Sequence, residues 1–325
     1  MRCWWSCFAV NLICLLGLHI MAEKQVSSAF FMTTQFLESG IIDSTKEVKT
    51  HKGVFISSHR KLDQCGHLCT VKFSIAGTGN VAHHFAEMLT GNGHTLIEVF
   101  GRDEAKAIEL GEKFGAKVLQ SLQDFSSDND LVVIAVKDDA IQEVASSIPA
   151  SLSVIHTSGM TSIRKLHHEN AGVVWPLQSI TKGKSIDYSA MPMLFEASNP
   201  EFADFLMRIF GAISNQMHSA DENKRARVHL AAVFANNFVN QMFDVAADIM
   251  REEKLSFDIL MPIIKEEIEK ISVMTPHEAQ TGPAVRDDME SIRKHLSILE
   301  KDPPSAEIYK QITNRILKDY HDKKL

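Results

Sequence analysis

VKFSIAGTGNVA, residues 71–82, decides the fold. An apolar run, Val71–Ala76, stops at Gly77-Thr78-Gly79, and a helical pattern begins at Asn80. Strand, glycine turn and helix in that order match G-x-G-x-x-A, with Gly77, Gly79 and Ala82 in the three small positions. The first glycine permits a tight turn, the second lets a pyrophosphate approach the backbone, and the alanine lets the helix pack close to its strand. The free N–H groups of the first helical turn then face the phosphates. Gly77, Thr78, Gly79, Asn80 and Val81 are therefore candidate cofactor-binding residues.

Downstream, the pattern keeps alternating. Helix is predicted over 80–91, strand over 95–100, helix over 104–114 and a short strand over 117–119. Leu131–Val136 (LVVIAV) is continuously apolar, as a parallel strand buried on both faces requires. A short helix at 139–147 and a strand at 153–156 follow, then short strands at 172–175 and 193–196 and a helix at 202–210. From about Asp221 the pattern is helical: 221–252, 256–275, 287–300 and 306–322. This is an α/β chain, a doubly wound parallel Rossmann sheet followed by an all-helical C-terminal domain. The divisions expected are an extension over 1–70, a nucleotide-binding domain over 71–198 and a helical substrate and dimerisation domain over 199–325.

Composition narrows the classes. The chain has 325 residues, 45% apolar and 23% charged, with a net charge of −7. That length holds two domains with substantial cores. The negative balance argues against a general nucleic-acid or membrane-surface binder, since both need a basic face. All five cysteines (Cys3, Cys7, Cys14, Cys65 and Cys69) precede the glycine turn, so the remainder cannot depend on disulfides, and a cytoplasmic protein is expected. Phe8–Ile20 is an apolar run behind Arg2, too short for a membrane span and without an A-x-A cleavage site. It reads as an extension or a mis-assigned start, with a secretory signal in 1–21 as the alternative. Cys65 and Cys69, with His59 nearby, lack the second ligand pair of a zinc site, so no metal is expected.

Where the second strand ends, an enzyme preferring NAD carries an acid for the ribose hydroxyl, and one preferring NADP carries a nearby arginine. Here the order is Val99-Phe100-Gly101-Arg102-Asp103. Glycine in the acid's place and Arg102 after it favour NADP, with Glu98 as the competing ribose ligand. Val136 and Lys137 end the fourth strand, at the edge where ligands bind, and join the cofactor set.

Three segments are candidates to meet a substrate. His156-Thr157-Ser158-Gly159 leaves the fifth strand, and Pro176-Leu177-Gln178-Ser179 leaves the sixth; His156, Ser158 and Gln178 are the polar groups to watch. The third is the helix HLAAVFANNFVN, residues 229–240. At 100° per residue, Asn236 and Asn240 lie within about 20° of His229, and Asn237 about 80° away. Imidazole titrates near neutrality, the range that proton transfer needs. His229, Asn237 and Asn240 are thus candidate catalytic residues. A fourth segment, Thr281–Asp288 (TGPAVRDD), offers Arg286 for a substrate anion, though Arg286 can equally pair with a neighbouring Asp.

At these residues the chain resembles a bacterial family that joins a Rossmann-like domain to a C-terminal domain of unknown function, number 2520. The matching stretches are Gly77–Ala82, Val133–Asp139, His156–Gly159, Pro176–Ser179, His229–Asn240 and Thr281–Arg286. The second domain of that family is similar to the helical domain of 6-phosphogluconate dehydrogenases, and its fold to pyrroline-5-carboxylate reductases. The resemblance implies an NADP-binding oxidoreductase, homodimeric through the helical domain, acting on a small molecule. Two departures matter. Hydroxyacid dehydrogenases place a Lys with an Asn four residues later, where this chain offers His229 and asparagines. Asp287 also stands where a glycine is expected after Arg286. The expected reaction is NADPH-dependent reduction of a small polar carbonyl or imine. A non-catalytic NADP-sensing dimer and a hydroxyacid dehydrogenase are the alternatives.

Overall fold

The computed structural model describes residues 70–325; the apolar run at 8–20 and the His59, Cys65 and Cys69 group lie outside the described residues. The glycine turn comes out as its sequence predicts, with β1 (Lys72–Ala76) feeding α1 (Asn80–Gly91). Then come β2 (Thr95–Phe100), α2 (Glu104–Phe114), β3 (Lys117–Leu119), β4 (Leu131–Ile134), α3 (Ile141–Ser147), β5 (Val154–His156) and β6 (Ala171–Pro176). Local chemistry sets the ends. Asp103 caps α2 by accepting the Lys106 N–H at 3.3 Å, and Gly115 closes it in the left-handed conformation.

β1 to β6 are parallel in the order β3-β2-β1-β4-β5-β6. The order reverses between β1 and β4, and a crevice opens at their carboxyl ends. β7 (Met193–Ala197) breaks the expected pattern by running antiparallel to β6, and β8 (Met217–Ser219) runs parallel to β7. The sheet thus has eight strands and carries the chain to Ser219, past the boundary expected near 198, with α4 (Pro200–Phe210) packed on it. β8 has only three residues, too few to announce themselves in sequence.

The sheet is buried on both faces. Phe73, Ile75, Val99 and Val133 pack under α1, α2 and α4, while Val132, Ile134 and Val154 pack against Ile141 and Ala145 of α3. Each such fully buried side chain contributes roughly 1.5–3 kcal/mol. That depth of core fixes the strand ends, and so the crevice, rigidly.

Beyond Ala220 the described chain is helical: α5 (Glu222–Ala232), a π-helical stretch (Val233–Phe238), α6 (Val239–Glu252), α7 (Met261–Val273), α8 (Pro276–Ala279), α9 (Met289–Ile298) and α10 (Pro303–His321). Its own buried cluster is small, with Ala284, Ile292 and Leu317 at the centre. Residues 70–325 belong to one compact unit. Among the described residues no helix is long and apolar enough to cross a membrane, and no group of three or more His, Cys, Asp or Glu is placed to hold a metal ion.

Candidate active site

A cleft of about 720 Å³ lies at the carboxyl ends of β1, β2 and β4. Gly77, Thr78, Gly79, Asn80 and Val81 line it, with Arg102, Val136 and Lys137. All eight residues that the sequence nominates for a cofactor therefore share one cavity. The backbone explains the glycines. Gly77 sits at φ 134°, and a Cβ there would lie 2.1 Å from the Ala135 carbonyl oxygen of the neighbouring strand end. Gly79 caps α1 at φ −82°, and a Cβ there would meet nothing within 4 Å, so the space above it is open. An open backbone at a helix N-terminus fits a dinucleotide pyrophosphate.

The part of the cleft past β2 is basic. Arg102 and Lys106 line the same cavity, Lys106 held at 2.7 Å by Asp103. That pairing lowers the Asp103 carboxyl and raises the Lys106 ammonium from their ordinary values. Lys106 escapes the sequence reading, although its place in the first turn of α2, three residues after the Asp103 cap, is the signal that points to it. Gly101 lacks an acid for a steric reason, because a Cβ there would meet the Thr78 methyl at 2.4 Å. The competing ribose ligand, Glu98, is buried and spent: its carboxylate accepts the Ser126 N–H at 3.0 Å and the Asn129 amide at 2.9 Å.

The 156–159 loop is arranged differently from its sequence expectation. His156 is fully buried, paired in the sheet with Ile134 and Val173, and its Nδ1 accepts the Ser158 N–H at 3.2 Å. Burial, aided by the Arg225 charge, pushes this imidazole down to about 3, so it stays neutral. The Ser158 hydroxyl donates to Asp138 at 2.8 Å and accepts the N–H groups of Met160 and Thr161. A hydroxyl donates one hydrogen bond and accepts two, so this one is saturated. His156 and Ser158 thus build the loop, and Thr157 between them is the residue that lines the cleft.

Gly159, next in the loop, lies against the Trp175 indole, and a Cβ there would approach it to 2.7 Å. Trp175 is in turn in ring contact with His229 of α5, with centroids 5.6 Å apart. Thr157, Gly159, Trp175 and His229 so form a continuous path from the cleft to the helical half. Gln178 is exposed two residues before Ile180, which lines the cleft and accepts the Asn80 amide at 3.4 Å. The same segment is tied to α1 by His84, whose ring nitrogens lie 2.8 Å from the Tyr188 hydroxyl and 3.0 Å from the Thr181 carbonyl.

The helical wheel drawn from the sequence does not survive. Val233–Phe238 is π-helical, and its wider turns advance each residue by less than 100°, so Asn236 and Asn240 trail the positions that an ideal helix gives them. Asn236, Asn237 and Asn240 are exposed, and none of them lines the cleft. Nor does Arg286, which is exposed on the 281–288 loop. That loop is clamped by the chain's C-terminus: His321 approaches the Val285 carbonyl at 2.8 Å, and Lys323 pairs with Asp287. Asp287 adopts φ 56°, the left-handed conformation for which glycine is the easier residue.

A doubly wound sheet with a glycine-lined cleft at its switch point, continued by a helical half, defines the class: a nicotinamide-nucleotide oxidoreductase fold. Comparison with known proteins agrees. Residues 72–158 match the family of coenzyme F420-dependent NADP oxidoreductases, and residues 191–316 match the domain of unknown function DUF2520. A Bacteroides fragilis protein described as an NADP oxidoreductase is 31% identical, with a TM-score of 0.71 over 78% of this chain and 100% of that one. A reductive aminase from Aspergillus terreus, solved with NADPH and ethyl-5-oxohexanoate, shares the fold at 14% identity, TM-score 0.61, over 78% of this chain and 95% of its own. Over 85 residues the chain is 35% identical to the glutamyl-tRNA reductase of Sulfolobus acidocaldarius, which is 26% of this chain and only 20% of that protein. The chain belongs to the NADP oxidoreductase family that pairs a Rossmann-type nucleotide domain with DUF2520.

Proposed function

We propose that this protein is an NADPH-dependent reductase of a small polar carbonyl or imine, working in the cytoplasm as a homodimer. The observation that carries the proposal is the contact between His229 and Trp175, which brings a titratable side chain from the helical half beside the loop that lines the cofactor cleft. The sheet half, to about Ser219, is the nucleotide domain in this reading; the helices beyond it form the substrate and dimerisation domain.

Gly77–Val81 would hold the pyrophosphate through backbone N–H groups, Arg102 and Lys106 the 2′-phosphate, and Val136 and Lys137 the nicotinamide half. The basic pair and the missing acid at Gly101 favour NADP over NAD. A bound nicotinamide supplies the hydride. His229 hands a proton to the carbonyl oxygen or imine nitrogen as the adjoining carbon is reduced. Asn237 and Asn240, exposed farther along the helix that carries His229, and Gln178, beside Ile180 of the cleft, would orient the substrate, and Arg286, brought in from the same or the partner subunit, would hold an anionic group. Reductive amination by the Aspergillus protein supports a carbonyl or imine substrate by likeness of fold.

Dimerisation rests on the helical half. Leu230, Phe234, Ile263, Ile268 and Val273 are each more than half exposed, and the helical half's own buried cluster is small. Such a surface marks an interface. The test is NADPH oxidation against a panel of ketones, aldehydes and cyclic imines. Turnover that falls about 100-fold in His229→Ala supports the assignment, and full turnover in that variant removes His229 from the chemistry.

A further inference from the structure

Arg225 is a fully buried charged side chain in a chain whose other described arginines reach solvent. It lies in the first turn of α5, four residues and so one helical turn before His229. Its guanidinium donates to the Glu196 carboxylate on β7, to the Ala220 carbonyl at 3.1 Å and to the Thr161 carbonyl at 3.0 Å. These partners come from three places: the reversed strand β7, the lead-in to α5 and the loop that follows Gly159. One side chain thus ties the start of the helical half to the loop carrying Thr157 and Gly159.

The positions beyond Arg225 give this tie its purpose. Trp175 fills the space between Gly159 and His229, and Gly159 leaves no room for the indole to retreat toward the loop. The indole sets how near His229 can come, and Arg225 holds α5 down on the sheet so that the contact is kept. A guanidinium fork with three fixed acceptors defines a direction as well as a distance, which a lysine ammonium does not. Misplacing a reacting group by about 1 Å can reduce a rate up to about 100-fold.

We infer that Arg225 is a positioning residue for His229, locking α5 to Glu196 and to the Thr161 carbonyl so that the imidazole rests on Trp175 beside the cofactor cleft. This rests on the proton-donor reading of His229, and the test separates the two. Full-length protein with Trp4 and Trp5 replaced by Phe leaves Trp175 as the sole tryptophan. Its near-ultraviolet dichroism then reports the indole's surroundings directly, and NADPH oxidation with 1-pyrroline and ethyl levulinate reports turnover. In Arg225→Met the Trp175 band takes the form seen in His229→Ala, kcat falls about 10- to 100-fold, and the Kd for NADPH stays within about twofold. Adding Arg225→Met to His229→Ala lowers kcat no further, because both changes remove one function. An unchanged band, full kcat or additive losses overturn the inference. If Arg225→Met does not fold, Glu196→Ala is read by the same criteria. If His229→Ala keeps full turnover, or if neither probe is turned over, the band alone decides.

Discussion

Two glycines two residues apart make different demands, and alanine at each separates them. At Gly77 the backbone sits at φ 134°, and a methyl would lie 2.1 Å from the Ala135 carbonyl oxygen and 2.7 Å from its carbon. Both obstacles are backbone, at the end of a buried strand, so nothing flexible can yield. Strain of about 1–3 kcal/mol from the dihedral and about 1–3 kcal/mol from overpacking sum to roughly 4 kcal/mol. In a unit of this size that lowers Tm by about 8–16 °C. At Gly79 φ is −82° and a methyl meets nothing within 4 Å, so Gly79→Ala should melt within about 2 °C of the parent. The open space is where the proposed pyrophosphate site lies. Loss of a charge-assisted hydrogen bond there, about 1.5–3 kcal/mol, weakens NADPH binding by about 10- to 100-fold. Thermal unfolding without ligand and calorimetric titration with NADPH measure the two quantities. A Gly79→Ala protein that binds NADPH like the parent would show that the pyrophosphate does not use this turn. A Gly77→Ala protein that melts like the parent would refute the contact at Ala135.

Further outcomes follow from the same geometry. The His156 imidazole, held at about 3 when folded against about 6.5 when unfolded, takes up a proton only on unfolding in that window. Its contribution to stability is therefore full above pH 6.5 and falls toward pH 3 by about 1.4 kcal/mol per pH unit. Urea melts at pH 7, 6 and 5 should show a shallower pH slope in His156→Asn; an unchanged slope would mean that His156 is not the group responsible. Replacing both Arg102 and Lys106 by Ala should raise the Kd for NADPH by about 10- to 100-fold and leave that for NADH within about twofold, since only the 2′-phosphate loses partners. Equal weakening of both nucleotides would argue against a 2′-phosphate role. Phe234→Glu with Phe238→Glu should turn the proposed dimer into a monomer in light scattering, because the two exposed rings, 4.9 Å apart, form one patch.

The features legible in sequence were those set by neighbouring residues. Val71–Ala82 announced its strand, turn and helix because small residues and apolar runs act locally, and the parallel, doubly wound class of the sheet followed from alternation. The reversed β7 and three-residue β8 were not legible, since their pairing is decided by partners far along the chain. The candidate cofactor residues sit together because each follows a strand or starts a helix. His156 and Ser158 carry polar atoms at the right edge, yet the loop's own hydrogen bonds claim them, and no spacing rule reveals that. Arg225 gives only a faint sign, a charge one helical turn before a histidine, and its burial depends on Glu196 and Thr161. Asp287 is the opposite case: the residue is unusual for its backbone, and the chain's last turn compensates with His321 and Lys323.

The π-helical stretch at Val233–Phe238 has a further consequence. A π-turn accommodates an extra residue within a nearly unchanged rise, so removing Ala235 would let the stretch relax into ordinary α-helix. Six residues at the smaller π-helical advance turn about as far as five at 100°, so the helix beyond would keep its direction. Leu230 and Val239 would hold nearly the same angle to each other, and so would the apolar residues offered by the later helices. The extra residue is therefore a local device: it widens one turn around Asn236 and Asn237 and leaves the flanking helices aimed as before. A one-residue deletion here should reshape that turn alone, whereas the same deletion in α5 or α6 would rotate everything after it by about 100°.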